Sequence, residues 1–292
     1  RGLGDVYKRQ AMNSSKKIIL TGATGLIGKE VLPLLKKEGF EVLALSSKTC
    51  NLFNKKEIDS VFNKFKPEYL LNFAWCATGD YLNSELNYKF LEAGINMLGA
   101  FKQNGGRRAV FAGTCFEYKF KDTPLKENDE LNPLTIYAKC KVELFKQATE
   151  YCIQNGISFG WGRIFYVYGE NENEKRLTPY LINNLKNNKT TEIKCGQLIK
   201  DYMYTKDIAG AFVKFIETDV EGPVNICTGQ GISLKDFGRA IASKLNKEEY
   251  LEIRHEKTTQ PPIITGDNTK LKNCVQYNIK YSLSSALDEI LY

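Results

Sequence analysis

Apolar and polar positions follow two rhythms along the chain. Short apolar runs, "KKIIL" (16–20), "EVLAL" (41–45), "YLLNFA" (69–74) and "RAVFAG" (108–113), predict strands, and "ISFGWGRIFYVYG" (157–169) extends the same signal. Between them lie stretches with apolar residues at helical spacing. These are "LIGKEVLPLLKKEG" (26–39), ending at glycine, "KKEIDSVFNKFKP" (55–67), stopped by proline, a long pattern over 83–103, and "TIYAKCKVELFKQATEYCIQNG" (135–156), closed by Asn-Gly. Strands separated by helices predict an α/β fold with a doubly wound parallel sheet, and near-continuous apolar strands fit burial on both faces. After about residue 170 the elements shorten, which predicts a smaller lobe; there is no internal repeat and no low-complexity segment.

"LTGATGLIG" (20–28) joins the first predicted strand to the first predicted helix with the spacing G-x-x-G-x-x-G at Gly22, Gly25 and Gly28. A tight turn there aims backbone N–H groups and the positive end of a helix at a pyrophosphate, so the loop predicts dinucleotide binding. At the end of the second strand, where NAD-binding folds often carry an acidic residue, the chain reads "ALSSKTCN". Ser46, Ser47 and Lys48 would accept a 2′-phosphate that a carboxylate repels, which favours NADP over NAD.

The helix at 135–156 carries Tyr137 and Lys141, one turn apart and on one face. Free tyrosine, with a pKa of about 10, is a poor acid or base near neutrality. An ammonium about 4 Å away favours phenolate by up to about 4 kcal/mol at an effective dielectric of about 20, or roughly 3 pKa units. Thr114, at the carboxyl end of the strand 108–113, is placed to converge with this pair where doubly wound sheets bind ligands, and to hydrogen-bond a substrate oxygen.

Together Gly22, Gly25, Gly28, Thr114 and Tyr137-x-x-x-Lys141 resemble the extended short-chain dehydrogenase/reductase family over roughly residues 16–291. The resemblance implies a Rossmann-type domain over 12–169, to which segments near 200–230 return, and a small C-terminal lobe, mainly 170–292, that binds a nucleotide sugar. It implies a catalytic set of Thr114, Tyr137, Lys141 and Asn87. The expected cofactor contacts are Gly22, Thr24, Gly25, Leu26, Ile27, Gly28, Ser46, Ser47, Lys48, Asn51, Leu52, Ala74, Trp75, Tyr137 and Lys141. "GRIFYVYG" (162–169), "RLTPYLI" (176–182) and "KDYMYTKDIAGAF" (200–212) resemble family segments near the substrate and nominate Tyr166, Arg176 and Lys200; "GPVNICTGQGISLKDF" (222–237) resembles a further family unit. Lys200 stands for an arginine that contacts pyrophosphate, and Gln260 lies near where a second arginine is expected. Cys115 and Phe116 occupy the positions of the Asp-Glu pair that 4,6-dehydratases use, which disfavours dehydration; Glu117, one place on, is expected to point into the fold or brace a loop. The resemblance leads to an NADP- or NAD-dependent reductase of a nucleoside-diphosphate 4-keto-6-deoxyhexose. A nucleotide-sugar 4-epimerase and a non-enzymatic dinucleotide sensor are the alternatives. In many members the helices matching 83–103 and 135–156 build a dimer interface, so a homodimer is implied.

Composition changes this picture little. The chain of 292 residues is 42% hydrophobic and 26% charged, ordinary for a soluble globular protein, and no apolar run is long enough to span a bilayer. "RGLGDVYKRQA" (1–11) precedes Met12, lacks the layout of a signal peptide and reads as foreign to the fold. It contributes +2 of the formal charge of +7, and the remainder, without a basic block, gives nucleic-acid binding little support. The eight cysteines form no C-x-x-C pair and predict free thiols in a reducing cytoplasm. The single histidine, His255, sits in a polar stretch and is expected at the surface; no metal site is expected.

Overall fold

The computed structural model describes residues 16–292, so the segment 1–11 and Met12 lie outside the described residues. The first half runs β1 (Lys16–Thr21), α1 (Gly28–Lys37), β2 (Phe40–Leu45), α2 (Lys55–Phe65), β3 (Tyr69–Asn72), α3 (Leu86–Gln103), β4 (Arg108–Thr114), α4 (Ile136–Asn155) and β5 (Ser158–Ile164). The second half adds β6 (Tyr166–Tyr168), α5 (Leu177–Lys186), β7 (Thr191–Ile193), β8 (Ile199–Lys200), β9 (Tyr202–Tyr204), α6 (Thr205–Glu217), β10 (Gly222–Ile226), β11 (Ile232–Ser233), α7 (Leu234–Leu245), β12 (Leu251–Ile253), β13 (Ile263–Ile264), α8 (Thr269–Asn273) and α9 (Leu283–Leu291).

The main sheet has the order β2-β1-β3-β4-β5-β10, and every neighbouring pair is parallel. Successive strand side chains point to opposite faces. Ile18 and Leu20 of β1 therefore enter a core under α1 and α6, while Ile19 enters one under α2, α3 and α4. Burial on both faces explains why β4 is buried at all seven positions. The order reverses direction between β1 and β3, which opens a crevice at their carboxyl ends. Thr21 donates to the Asn72 side chain at 2.5 Å across this crevice and ties the two strand ends together.

A separate apolar cluster joins α5, α7 and α9 in the C-terminal lobe. The chain does not divide cleanly at residue 170. α6 and β10 build the main domain, and Leu271, Val275 and Tyr277 pack into the core under α1.

Several element boundaries differ from the periodicity. The run 157–169 is two strands, because at Phe165 the chain changes partners: Phe165 N–H donates to Ile226 of β10, and Tyr166 N–H to Asp201 beside β9. The first helix starts at Gly28 rather than 26, since residues 22–27 are spent on the turn, where Gly25 N–H donates to Gly22. The long helix starts at Leu86 rather than 83, because the carbonyls of Tyr81 and Ser84 are captured by the Asn87 side chain. All eight cysteines are free, and His255 is exposed.

Arg108 closes the amino end of β4. Its buried guanidinium donates to the carbonyls of Phe215, Ile216 and Val220 and to Ser158. Arg108→Met takes the guanidinium from the Ile216 and Val220 carbonyls, and leaves Phe215 only its Thr218 donors. The expected loss is about 3 kcal/mol, lowering Tm by roughly 5 °C, as read by differential scanning calorimetry.

Candidate active site

The turn after β1 is set by two close backbone approaches. Gly22 holds φ +69°, and a side-chain carbon there would lie 2.7 Å from the carbonyl carbon of Phe73. A side-chain carbon at Gly28 would lie 2.1 Å from the Gly22 oxygen. The start of α1 is thereby drawn against the carboxyl ends of β1 and β3, and Gly22, Gly25, Leu26, Ile27 and Gly28 line a cavity of about 610 Å³. The residues present fit a dinucleotide: a narrow glycine turn at a helix N-terminus leaves backbone donors free of side chains, open to the cavity.

The same cavity is lined by Trp75, Thr114, Tyr137, Lys141, Tyr166 and Arg176. Thr114 arrives at the end of β4, and Tyr137 and Lys141 arrive from the first turns of α4, whose start is capped by Thr135. The Tyr137 and Thr114 side chains are hydrogen-bonded to each other. Lys141 is buried, donates to the Ala112 carbonyl at 2.7 Å and sits 3.8 Å above the Trp75 ring.

The electrostatics correct one expectation. Burial outweighs the pull of Lys141 on the Tyr137 phenol. Burial raises it well above its ordinary value, and the bond to Thr114 only partly opposes this. The same burial acts on the lysine, which is pushed down to about 7 against the opposing charge of Glu117. Its nitrogen is 5.9 Å from the Tyr137 ring centre. The apolar surroundings that would strengthen an ammonium's field also push the ammonium toward neutrality.

Other nominated residues lie elsewhere. Thr24 is exposed on the turn, and Ala74 donates its N–H to Asn72 at the crevice without lining the cavity. Ser47, Lys48 and Asn51 are exposed after β2, Ser46 and Leu52 are half-buried there, and none of the five lines the cavity. Lys200 is buried and donates to the Pro261 carbonyl, 5.5 Å from the ring centre of Tyr166, so it lies beside the cavity lining rather than in it.

Asn87, expected in the catalytic set, does not line the cavity. It is buried, its amide donates to Tyr81 and Ser84, and its oxygen accepts from the Trp75 indole at 2.7 Å. Glu117 is fully buried, accepts from Arg163 at 2.7 Å and from the Thr114 N–H at 2.8 Å, and braces the turn after β4.

The cavity also exposes residues that spacing did not reveal: Tyr81, Cys115, Phe116, Glu172 and Tyr202. Tyr81 and Tyr202 carry no periodic signal that separates them from the chain's other tyrosines. Cys115 and Phe116 read in the sequence only as standing in place of an Asp-Glu pair, not as cavity lining. Arg176 spans the mouth, donating to the Ala77 carbonyl at 3.4 Å and lying 5.6 Å from the Tyr81 ring centre. A second cavity of about 520 Å³, lined by residues including Arg239, Glu248 and Ile253, opens in the C-terminal lobe and includes none of these groups.

The pattern described as the NAD dependent epimerase/dehydratase family matches residues 18–227. The chain belongs to that family. GDP-L-colitose synthase of Yersinia pseudotuberculosis is 28% identical over 253 residues, covering 78% of this chain and 82% of that protein. CDP-abequose synthase of Salmonella typhimurium is 28% identical over 246 residues, covering 75% and 78%. Among solved structures, the fold matches UDP-glucose 4-epimerase from Brucella ovis in complex with NAD, with TM-score 0.86, 17% identity and coverage of 95% and 98%. It also matches a GDP-mannoheptose C4 reductase from Campylobacter jejuni with NADP bound, with TM-score 0.82, 20% identity and coverage of 95% and 97%. The chain is an NAD(P)-dependent enzyme of the extended short-chain dehydrogenase/reductase type.

Two measurements follow from the buried charges. Glu117→Gln leaves the Arg163 guanidinium uncompensated inside the protein and is expected to cost about 3–5 kcal/mol, read by urea unfolding. Lys141 has a folded pKa of about 7 against an ordinary 10.5. The unfolded chain therefore binds the extra proton between these values, and the lysine's destabilising effect, full below pH 7, fades as pH rises toward 10.5. The Tm difference between Lys141→Met and the unsubstituted protein is expected to be most favourable to the variant below pH 7 and to shrink steadily above it.

Proposed function

We propose that this protein is an NADPH-dependent reductase of a nucleoside-diphosphate 4-keto-6-deoxyhexose. One observation carries the reading: a single cavity joins the glycine turn, the Thr114–Tyr137–Lys141 group and Arg176 with Tyr166. A site for a dinucleotide, a proton donor and a cation suited to phosphate are thus continuous. Curated relatives that make colitose and abequose on nucleotide carriers support the substrate class.

A bound NADPH supplies the hydride. The chain does the rest. N–H groups of the turn and the start of α1 hold pyrophosphate. Thr114 orients the substrate carbonyl through its hydroxyl. Tyr137, whose buried phenol stays protonated, donates its proton to the alkoxide oxygen as it forms. Lys141 in its charged form then stabilises the resulting phenolate. Arg176, at the cavity mouth, pairs with the diphosphate, its fork offering two parallel donors. Dehydration is disfavoured because Cys115 and Phe116 follow Thr114 and the Glu117 carboxylate is sealed in its ion pair. Ser46, Ser47 and Lys48, grouped at the end of β2, favour a 2′-phosphate and hence NADPH.

A nucleotide-sugar 4-epimerase is the second reading, favoured by the fold shared with a UDP-glucose 4-epimerase. It requires cofactor that stays bound through purification and no net oxidation. The deciding assay mixes protein and NADPH with GDP-, CDP- and dTDP-4-keto-6-deoxyhexoses and follows nicotinamide absorbance. Oxidation that depends on the sugar and falls about 10²–10⁴-fold in Tyr137→Phe is the expected result. No oxidation with any of the three, together with 4-epimers formed from non-keto nucleotide sugars, overturns the reductase in favour of the epimerase. Lys48→Glu is expected to reduce kcat/KM for NADPH about tenfold while leaving NADH nearly unchanged; equal effects on both would remove the case for the phosphate.

A further inference from the structure

Lys141 occupies an unusual place for an ammonium. It is buried, and its one hydrogen bond to a carbonyl is to Ala112, at 2.7 Å. The nearest large group is the Trp75 ring, with the nitrogen 3.8 Å from the ring centre, against 5.9 Å for both Tyr137 and Trp161. A cation over an indole face is held by the ring's negative quadrupole, and the attraction grows when water is excluded.

Trp75 is itself held from two sides. Its N–H donates to the Asn87 oxygen at 2.7 Å, and its ring stacks on Phe90 with centroids 5.3 Å apart and planes at 23°. Asn87 spends both amide hydrogens on the Tyr81 and Ser84 carbonyls, so its oxygen is turned toward the indole. The edge of Tyr137 meets the same ring, with centroids 6.1 Å apart. A chain of contacts runs from α3 through Asn87 and Trp75 to Lys141.

We infer that Trp75 is a positioning residue that holds Lys141 in its charged form over the indole face, and that Asn87 acts through Trp75, fixing the ring, rather than by touching substrate. The other ionisable groups facing Lys141 do not replace this support. Glu117 attracts it but is neutralised by Arg163, Tyr137 is a protonated phenol, and burial holds the neighbouring Cys115 thiol uncharged. The indole face therefore joins the Ala112 carbonyl and the Glu117 charge as a fixed feature that favours the ammonium over the amine.

The test reads the lysine directly and needs no substrate, so it stands or falls separately from the reductase reading; only the consequence for turnover rests on that reading. In protein labelled with ¹³C-lysine, the Cε resonance lost in Lys141→Met reports residue 141, and its titration midpoint is followed by NMR. Trp75→Leu keeps an apolar filler and removes the quadrupole. Its midpoint is expected to fall by about one pH unit, while Trp75→Phe, which keeps a ring face, shifts much less. An unmoved midpoint in Trp75→Leu overturns the proposal. If Trp75→Leu does not fold, Asn87→Ser frees the indole from its anchor and must also lower the midpoint; a folded Asn87→Ser with the original midpoint overturns it equally. With a substrate in hand, the loss of charge on Lys141 marks the alkaline limb of the kcat profile. Trp75→Leu is expected to move that limb downward with little change in KM, whereas a purely structural role would lower kcat equally at every pH.

Discussion

The Glu117 carboxylate, shut away from water, is the constraint on which the site's geometry rests. It accepts from Arg163 of β5, from the Trp161 indole at 3.0 Å and from the Thr114 N–H. Arg163 passes the connection to the Tyr118 hydroxyl and the Glu127 carbonyl, and Tyr118 donates to Asn225 of β10 at 2.6 Å. Three neighbouring strands, β4, β5 and β10, are thus tied at their carboxyl ends by charged and polar groups. A buried ion pair is costly to desolvate and weak as a source of net stability. Its effect here is geometric: with every partner committed, the turn that carries Thr114 has one conformation, and the hydroxyl arrives beside Tyr137.

The second constraint is burial of the proton-transfer group itself. Tyr137, half-buried, and Lys141, buried, stand among aromatic rings at the cavity wall, where charge on either is expensive. The phenol is kept protonated, as a proton donor requires, and the lysine is brought to the edge of neutrality. The aromatic rings are not passive in this arrangement. One of them offers the ammonium a face that a saturated side chain would not.

The mouth of the cavity joins the two parts of the molecule. The glycine turn and the catalytic group belong to the main sheet, while Arg176 reaches back from the start of α5 to the Ala77 carbonyl. Phe165, where the chain leaves β5 to pair with β9, makes this possible by turning Tyr166 out of the main sheet and toward the cavity.

Strand and helix order, the glycine turn and the Tyr137–Lys141 face were legible from sequence because each depends on neighbours a few residues apart. Period-two and helical patterns record which side of an element is buried. Spaced glycines record where a side chain has no room. Four-residue spacing on a helix places two side chains together whatever surrounds them. The sequence alone thus determined an α/β sheet with a dinucleotide turn and a tyrosine–lysine pair at its carboxyl edge. Tertiary structure decided which residues face the cavity and what charge they carry. Asn87 reaches Trp75, Glu117 reaches Arg163 across 46 positions, and Arg176 reaches Ala77 across 99. Such contacts leave no periodic trace, and the ionisation of Lys141 and Tyr137 follows from the water those contacts exclude.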